Sequence, residues 1–282
     1  MPPRRPGGFR FTWFARFLVA VVAVAAVALG GRALLTRGAD GEPSHTPRGQ
    51  SPVSSTTSST TDATRKVPGL PACDYGTLPA PDVGYGRWQR TLLDTAFALP
   101  QTYQPPDLVS VTEAGFASPE EVRSLVIPDL AALRRAAEAN GTPVDVLVAY
   151  RSYARQAALF QERIRQVGHA EAIAKTARPG HSEHQLGTTI DFRTKGQLDV
   201  TEDWESTPTG AWMADNGWRY GFLMSYPSGR ADVTCYQYEP WHYRYFGRAM
   251  AGRIHASGLT PREYLWRLDS ARSPSPAGSA SP

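Results

Sequence analysis

Four residues in two short stretches have the types and spacing for a metal-dependent hydrolysis. His184 and Asp191 lie seven positions apart in GHSEHQLGTTIDF (180–192), and Glu239 and His242 lie three apart in YEPWHYRYFG (238–247). Two neutral imidazoles and one carboxylate make the ligand set of a catalytic zinc that leaves a fourth position open for water. The second carboxylate, Glu239, is then placed to take a proton from that water. The remaining histidines carry less. His181 and His184 are spaced like a ligand pair on a helix, but Pro179-Gly180 before them and Gly187 after them favour a loop. His45, His169 and His255 stand alone. Trp241, beside His242, is expected either to wall the site or to pack in the core.

The elements that must hold these groups read as follows. Ser118-Pro119-Glu120-Glu121 carries the signals of a helix start, and Asn140-Gly141 those of its stop. Val144–Tyr150 alternates and is β-rich, so it predicts a strand. Ser152 caps a predicted helix through about Val167, and a shorter helix follows at 170–177 before the Arg178-Pro179-Gly180 turn. Thr188–Phe192 predicts a strand presenting Asp191, Trp212–Gly217 a short helix, and Val233–Tyr238 a strand leading into Glu239. Thr260-Pro261-Arg262-Glu263 opens a last helix. Helices around separated strands, without a βαβ rhythm, predict an α+β domain.

Composition bounds the setting. Nine of the 30 Lys and Arg residues, but three of the 26 Asp and Glu, fall in residues 1–67. The net charge of +4 therefore belongs to that segment, the rest is slightly acidic, and nothing points to nucleic acid. Arg4, Arg5, Arg10 and Arg16 precede an apolar run, Phe17–Gly31. Residues 1–35 accordingly read as a basic stub with a signal anchor, or as a cleaved signal peptide, and in both cases the domain is exported. Residues 36–70 read as a disordered Ser/Thr/Pro linker, 71–270 as the folded domain and 271–282 as a disordered tail. Cys73 and Cys235 both lie in the exported part, where a disulfide persists, and a bridge between them is favoured over two buried thiols.

Three blocks carry a family resemblance: YRSYARQAALF (150–160), PGHSEHQLGTTIDF (179–192) and GFLMSYPSGRADVTCYQYEPWHYRYFG (221–247). They resemble bacterial VanY-type D-alanyl-D-alanine carboxypeptidases and the related L,D-carboxypeptidases that trim peptidoglycan stems. The resemblance implies the hedgehog/DD-peptidase fold, a small antiparallel sheet flanked by helices. It implies Zn2+ on His184, Asp191 and His242, with Glu239 as catalytic base. It places Arg151 beside the carbonyl or carboxylate oxygens of the substrate and Gln156 and Ser182 in the substrate site, which Trp241 is expected to help line. His181 matches a flanking position that is not a ligand. Three departures stand out. Thr189 replaces a usual Ala. Cys235 replaces a usual Gly, which strengthens the disulfide. Ser225 replaces a common basic residue before Tyr226-Pro227 and is expected to change how acidic peptide groups are read.

The expected activity is release of the C-terminal D-alanine from peptidoglycan stem peptides outside the cytoplasmic membrane, to which the N-terminal helix would tether the domain. One alternative is a zinc endopeptidase cutting within the stem or cross-bridge. Another is a wall-binding domain that keeps zinc for structure, although such a site has no need of Glu239.

Overall fold

A four-stranded antiparallel sheet organises the domain in the computed structural model, which describes residues 67–270. The short strands β1 (Leu78–Pro79) and β2 (Phe97–Ala98) pair in parallel, and β3 (Leu108–Ser110) pairs antiparallel with β4 (Glu121–Arg123). Then come α1 (Ile127–Ala139), β5 (Val144–Val148), α2 (Tyr153–Val167), α3 (His169–Lys175), β6 (Thr189–Thr194), α4 (Pro208–Asn216), β7 (Phe222–Met224), α5 (Ala231–Thr234), β8 (His242–Tyr245), α6 (Arg248–Ser257) and α7 (Pro261–Ser270). The main sheet has the order β5-β6-β8-β7, so the architecture is α+β. Among the described residues no helix is long and apolar enough to cross a membrane. The predicted anchor, most of the linker and the tail lie outside the described residues.

The register of β6 against β8 separates the two faces of the sheet. Asp191 lies opposite His242, Ile190 opposite Tyr243 and Thr189 opposite Arg244. Side chains alternate along a strand, so Asp191, His242 and Arg244 share one face while Ile190, Phe192, Tyr243 and Tyr245 share the other. The second set is buried with Phe222, with Val144 and Val146 of β5, and with Leu130, Leu133 and Ala137 of α1. That apolar face fixes the strand register, because a one-residue slip would turn Asp191 and His242 into the core and expel its aromatics. A second cluster under α6 and α7 closes the far side with Phe246, Met250, Ile254 and Leu265.

Three elements differ from their sequence expectation. The helix predicted from Ser118 begins at Ile127. Residues 121–123 form β4 instead, because they pair with β3, and Tyr150 N–H donates to the Glu121 carbonyl while Ala149 N–H donates to the Glu120 carboxylate. Tertiary pairing overrides the local capping signal there. The strand predicted at Val233–Tyr238 is absent: Ala231–Thr234 is a helical turn, and Cys235 takes φ 70 in the left-handed region, which an extended strand cannot contain. The short helix expected at Trp212–Gly217 starts earlier, at Pro208, with the Thr207 hydroxyl capping Gly210 N–H. Elsewhere the signals hold. Ser152 Oγ accepts from Arg155 N–H at the start of α2. Thr260 and Glu263 exchange side-chain-to-backbone bonds as a capping box at α7. Cys73 and Cys235 are joined, so the bridge ties the start of the described chain to the segment leading into Glu239.

Candidate metal centre

His184, Asp191 and His242 arrive from three different local structures. His184 rides on a 3-10 turn, Glu183–Leu186, that ends at Gly187 with φ 71. A side chain there would also press on Leu108, Arg123 and Pro105, so only glycine both takes the turn and fits. Asp191 sits in the middle of β6, and His242 opens β8 directly opposite. Glu239 is delivered by the turn before β8: its N–H donates to the Tyr226 carbonyl and its own carbonyl accepts from His242 N–H.

The donor atoms converge. His184 Nε2 is 3.3 Å from Asp191 Oδ2, and His242 Nδ1 is 3.2 Å from Asp191 Oδ1. One ligand atom from each of the three residues falls within 4.8 Å of the others, and all three residues are buried. A tetrahedral ion with bonds of about 2.0 Å needs ligand atoms about 3.3 Å apart, so the spacing fits zinc. Outer partners fix both rings. The Ala149 carbonyl only accepts, so His184 Nδ1 at 2.7 Å carries the proton and Nε2 faces the cluster. His242 Nε2 meets the Glu183 carboxylate at 3.1 Å, which leaves Nδ1 facing inward.

The electrostatics of the cluster follow from burial and close pairing. Burial raises the Asp191 carboxyl, but His184 and His242 outweigh it and hold the group well below the usual carboxylate range. Burial lowers the His184 imidazole, so its neutral, ligating form is favoured. Burial also lowers His242, yet the hydrogen bonds to Asp191 and Glu183 lift it to about 10. Glu239, with Oε2 3.4 Å from His242 Nδ1, is pushed up to about 7 by burial, against the opposing pull of His242. A carboxyl poised near neutrality suits a group that must accept and return a proton, and a bound cation would draw it lower.

The cleft over these residues holds about 180 Å³ and contains the sequence-predicted substrate residues Arg151, Gln156, Ser182 and Trp241. Arg151 is anchored at both ends. Its N–H donates to the His184 carbonyl at 3.2 Å and its Nη1 donates to Gln156 Oε1 at 2.8 Å. Gln156 Nε2 in turn donates to the Ala177 carbonyl at 2.6 Å. The guanidinium is thereby held at the wall of the cleft. Trp241 does both jobs considered for it, lining the cleft and packing against the main core. Tyr226 and Tyr236 complete the wall, their rings 5.1 Å apart. His181 turns away from the cluster, its Nδ1 2.7 Å from the Asp94 carbonyl, and His255 stacks on Trp218.

One reading is corrected and one residue is new. Ser225 does not face the cleft: it is buried, and its hydroxyl donates to Glu183 Oε2 at 2.6 Å, so it acts on a carboxylate inside the protein. Glu183 is the group the sequence reading passed over. Burial raises its carboxyl, but Arg244, His242 and Ser225 together bring it down to about 2.

Comparison with known proteins agrees with this geometry. Residues 119–248 match the profile of the VanY family, D-alanyl-D-alanine carboxypeptidase. The putative carboxypeptidase YodJ of Bacillus subtilis is 36% identical over 183 residues, spanning 63% of this chain and 67% of that protein. Among solved structures, the LdcB LD-carboxypeptidase shares 34% identity with a TM-score of 0.56, over 62% of this chain and 84% of the other. A zinc complex of the vancomycin-resistance D,D-pentapeptidase VanY shares 29% identity with a TM-score of 0.55, over 63% of this chain and 99% of the other.

Proposed function

Since the chain belongs to the VanY family of D-alanyl-D-alanine carboxypeptidases, we propose that it is a zinc-dependent enzyme releasing the C-terminal D-alanine of peptidoglycan stem peptides. The observation that carries this is the buried His184–Asp191–His242 cluster with the Glu239 carboxylate beside it, in the cleft that also holds Arg151. His184 Nε2, His242 Nδ1 and Asp191 would hold the ion. Zinc, when bound, supplies a Lewis acid for the scissile carbonyl and acidifies water. The chain's own groups do the rest. Glu239 takes the proton from the attacking water on its carboxylate and returns it to the leaving amine. Arg151 offers a planar, two-pronged donor to a substrate carboxylate, a geometry that a lysine cannot copy. Tyr226, Tyr236 and Trp241 exclude bulk water around the reacting bond.

A structural zinc site needs no general base, so Glu239 argues for catalysis. We place the domain outside the cytoplasmic membrane. The apolar run behind four arginines supports this, and so does the Cys73–Cys235 bridge, which persists in an oxidising compartment. The test is digestion of stem pentapeptide, stem tetrapeptide and cross-linked muropeptides, with the products weighed by mass spectrometry. The proposal expects loss of one alanine from a free C-terminus. Loss from the pentapeptide marks a D,D-bond and loss from the tetrapeptide an L,D-bond. Opening of cross-links with both free termini intact would reject it in favour of an endopeptidase.

A further inference from the structure

Two metal ligands in this cluster present opposite ring nitrogens, and each has a different outer partner. His184 shows Nε2 because a backbone carbonyl, that of Ala149, holds its Nδ1. His242 shows Nδ1 because something must hold its Nε2, and that group is the Glu183 carboxylate, 3.1 Å away. An ionised carboxylate only accepts hydrogen bonds, so the nitrogen facing Glu183 carries a proton, and in the neutral ring that ligates a cation Nδ1 is then the nitrogen with the lone pair. We propose that Glu183 is a positioning residue for the metal-dependent step, fixing the tautomer and ring orientation of His242 and so the affinity of the centre for its ion.

The carboxylate is itself held firmly. Its Oε1 accepts from Arg244 Nη1 at 2.9 Å and its Oε2 from Ser225 Oγ at 2.6 Å as well as from His242. Arg244 is 0% exposed and is pinned by the Trp88 and Thr91 carbonyls at 2.9 and 2.8 Å. Ser225 is tied back to the same ligand, since its N–H donates to the His242 carbonyl at 3.2 Å. Glu183 also directly precedes His184 in the turn that delivers the first ligand. One side chain therefore braces two ligand-bearing segments, the 183–186 turn and β8, against each other. Arg244 and His242 are two residues apart on β8 and share a face, so a single carboxylate reaches both.

A plain structural ion pair between Glu183 and Arg244 would be satisfied without His242. The two roles separate on metal affinity. The inference rests on zinc as the ion but not on which bond is cut. The experiment measures zinc affinity of the full chain by competition with a chromophoric chelator, for wild type, Glu183→Gln, Arg244→Gln and Ser225→Ala. Thermal unfolding is recorded for each, and visible spectra are taken after cobalt(II) substitution. Loss of an outer partner of a ligating histidine weakens metal binding by about 10–100-fold, and Glu183→Gln should fall in that range with an altered cobalt spectrum. Arg244→Gln should lose comparable thermal stability but clearly less zinc affinity. Zinc affinity in folded Glu183→Gln within about twofold of wild type, well short of the outer-partner range, would overturn the proposal. So would equal losses in Glu183→Gln and Arg244→Gln. If Glu183→Gln does not fold, Ser225→Ala decides: weaker zinc binding supports the brace and unchanged binding overturns it. A wild type that binds zinc tightly yet releases no D-alanine would sink the carboxypeptidase reading and leave this one untouched.

Discussion

Opening the Cys73–Cys235 bridge should remove a large part of this domain's stability while leaving its native geometry in place. The bridge closes a sequence separation of 162 residues. In the chain-entropy treatment a loop of that length restricts the unfolded chain by about 17 cal/mol/K, which is about 5 kcal/mol at 25 °C and an upper value. Small domains are stable by about 5–15 kcal/mol in total, so the loss would be felt at once. The native state has other ties at the same place. Arg262 Nη2 donates to the Pro71 carbonyl at 3.0 Å, and Leu78 N–H donates to the Ala96 carbonyl at 2.8 Å. These keep residues 71–80 docked without the bridge, so the cost should fall on the unfolded side. The assay is urea unfolding followed by tryptophan fluorescence, comparing the oxidised chain with a Cys73→Ser/Cys235→Ser variant. With a slope of about 2–3 kcal/mol/M, the midpoint should fall by at most about 2.5 M. A midpoint unchanged within error would refute the entropic reasoning. Two alkylatable thiols in unreduced, denatured protein would refute the bridge itself.

Three further outcomes are expected. Glu239→Gln should keep fold and zinc but lower turnover by about 10²–10⁴-fold, since the amide preserves shape and accepts no proton; near-normal turnover would move the base elsewhere. Zinc at about 100 times its dissociation constant should stabilise the folded state by about 2.7 kcal/mol, raising the unfolding temperature by several degrees in a calorimetric scan, and the shift should vanish in His184→Ala. Arg262→Met should destabilise strongly, by about 3–5 kcal/mol in chemical unfolding, because it strands the buried Asp94 carboxylate 2.7 Å from its present partner.

The candidate metal ligands and base were legible because their chemistry is local: His184, Asp191, His242 and Glu239 announce themselves by type and spacing, and the β6–β8 register then sets Asp191 opposite His242. Helices whose caps act within a few residues were legible for the same reason, as at Ser152 and Thr260. What failed was mostly long-range. The segment from Ser118 reads locally as a helix, yet β3 and the end of β5 claim its backbone hydrogen bonds. The segment at Cys235 reads as a strand, yet Cys235 closes the Ala231–Thr234 helical turn in the left-handed region, its N–H donating to the Ala231 carbonyl. Glu183 was missed because its partners come from β8 and from the residue after β7, and no spacing within its own motif reveals that three donors would meet there.

On the proposed function, the cleft reads a free C-terminus next to a zinc site. Arg151, held between the His184 carbonyl and Gln156, is the residue placed to do so. The most direct measurement is kcat/KM on a stem pentapeptide and on its C-terminal amide, for wild type and Arg151→Lys. Removing the carboxylate deletes charge-assisted hydrogen bonds worth about 1.5–3 kcal/mol, so wild type should prefer the acid by about 10–150-fold. Arg151→Lys should lose most of that preference, because a point charge cannot make the paired contact. Equal cleavage of acid and amide by the wild type would show that the cleft does not read the C-terminal carboxylate.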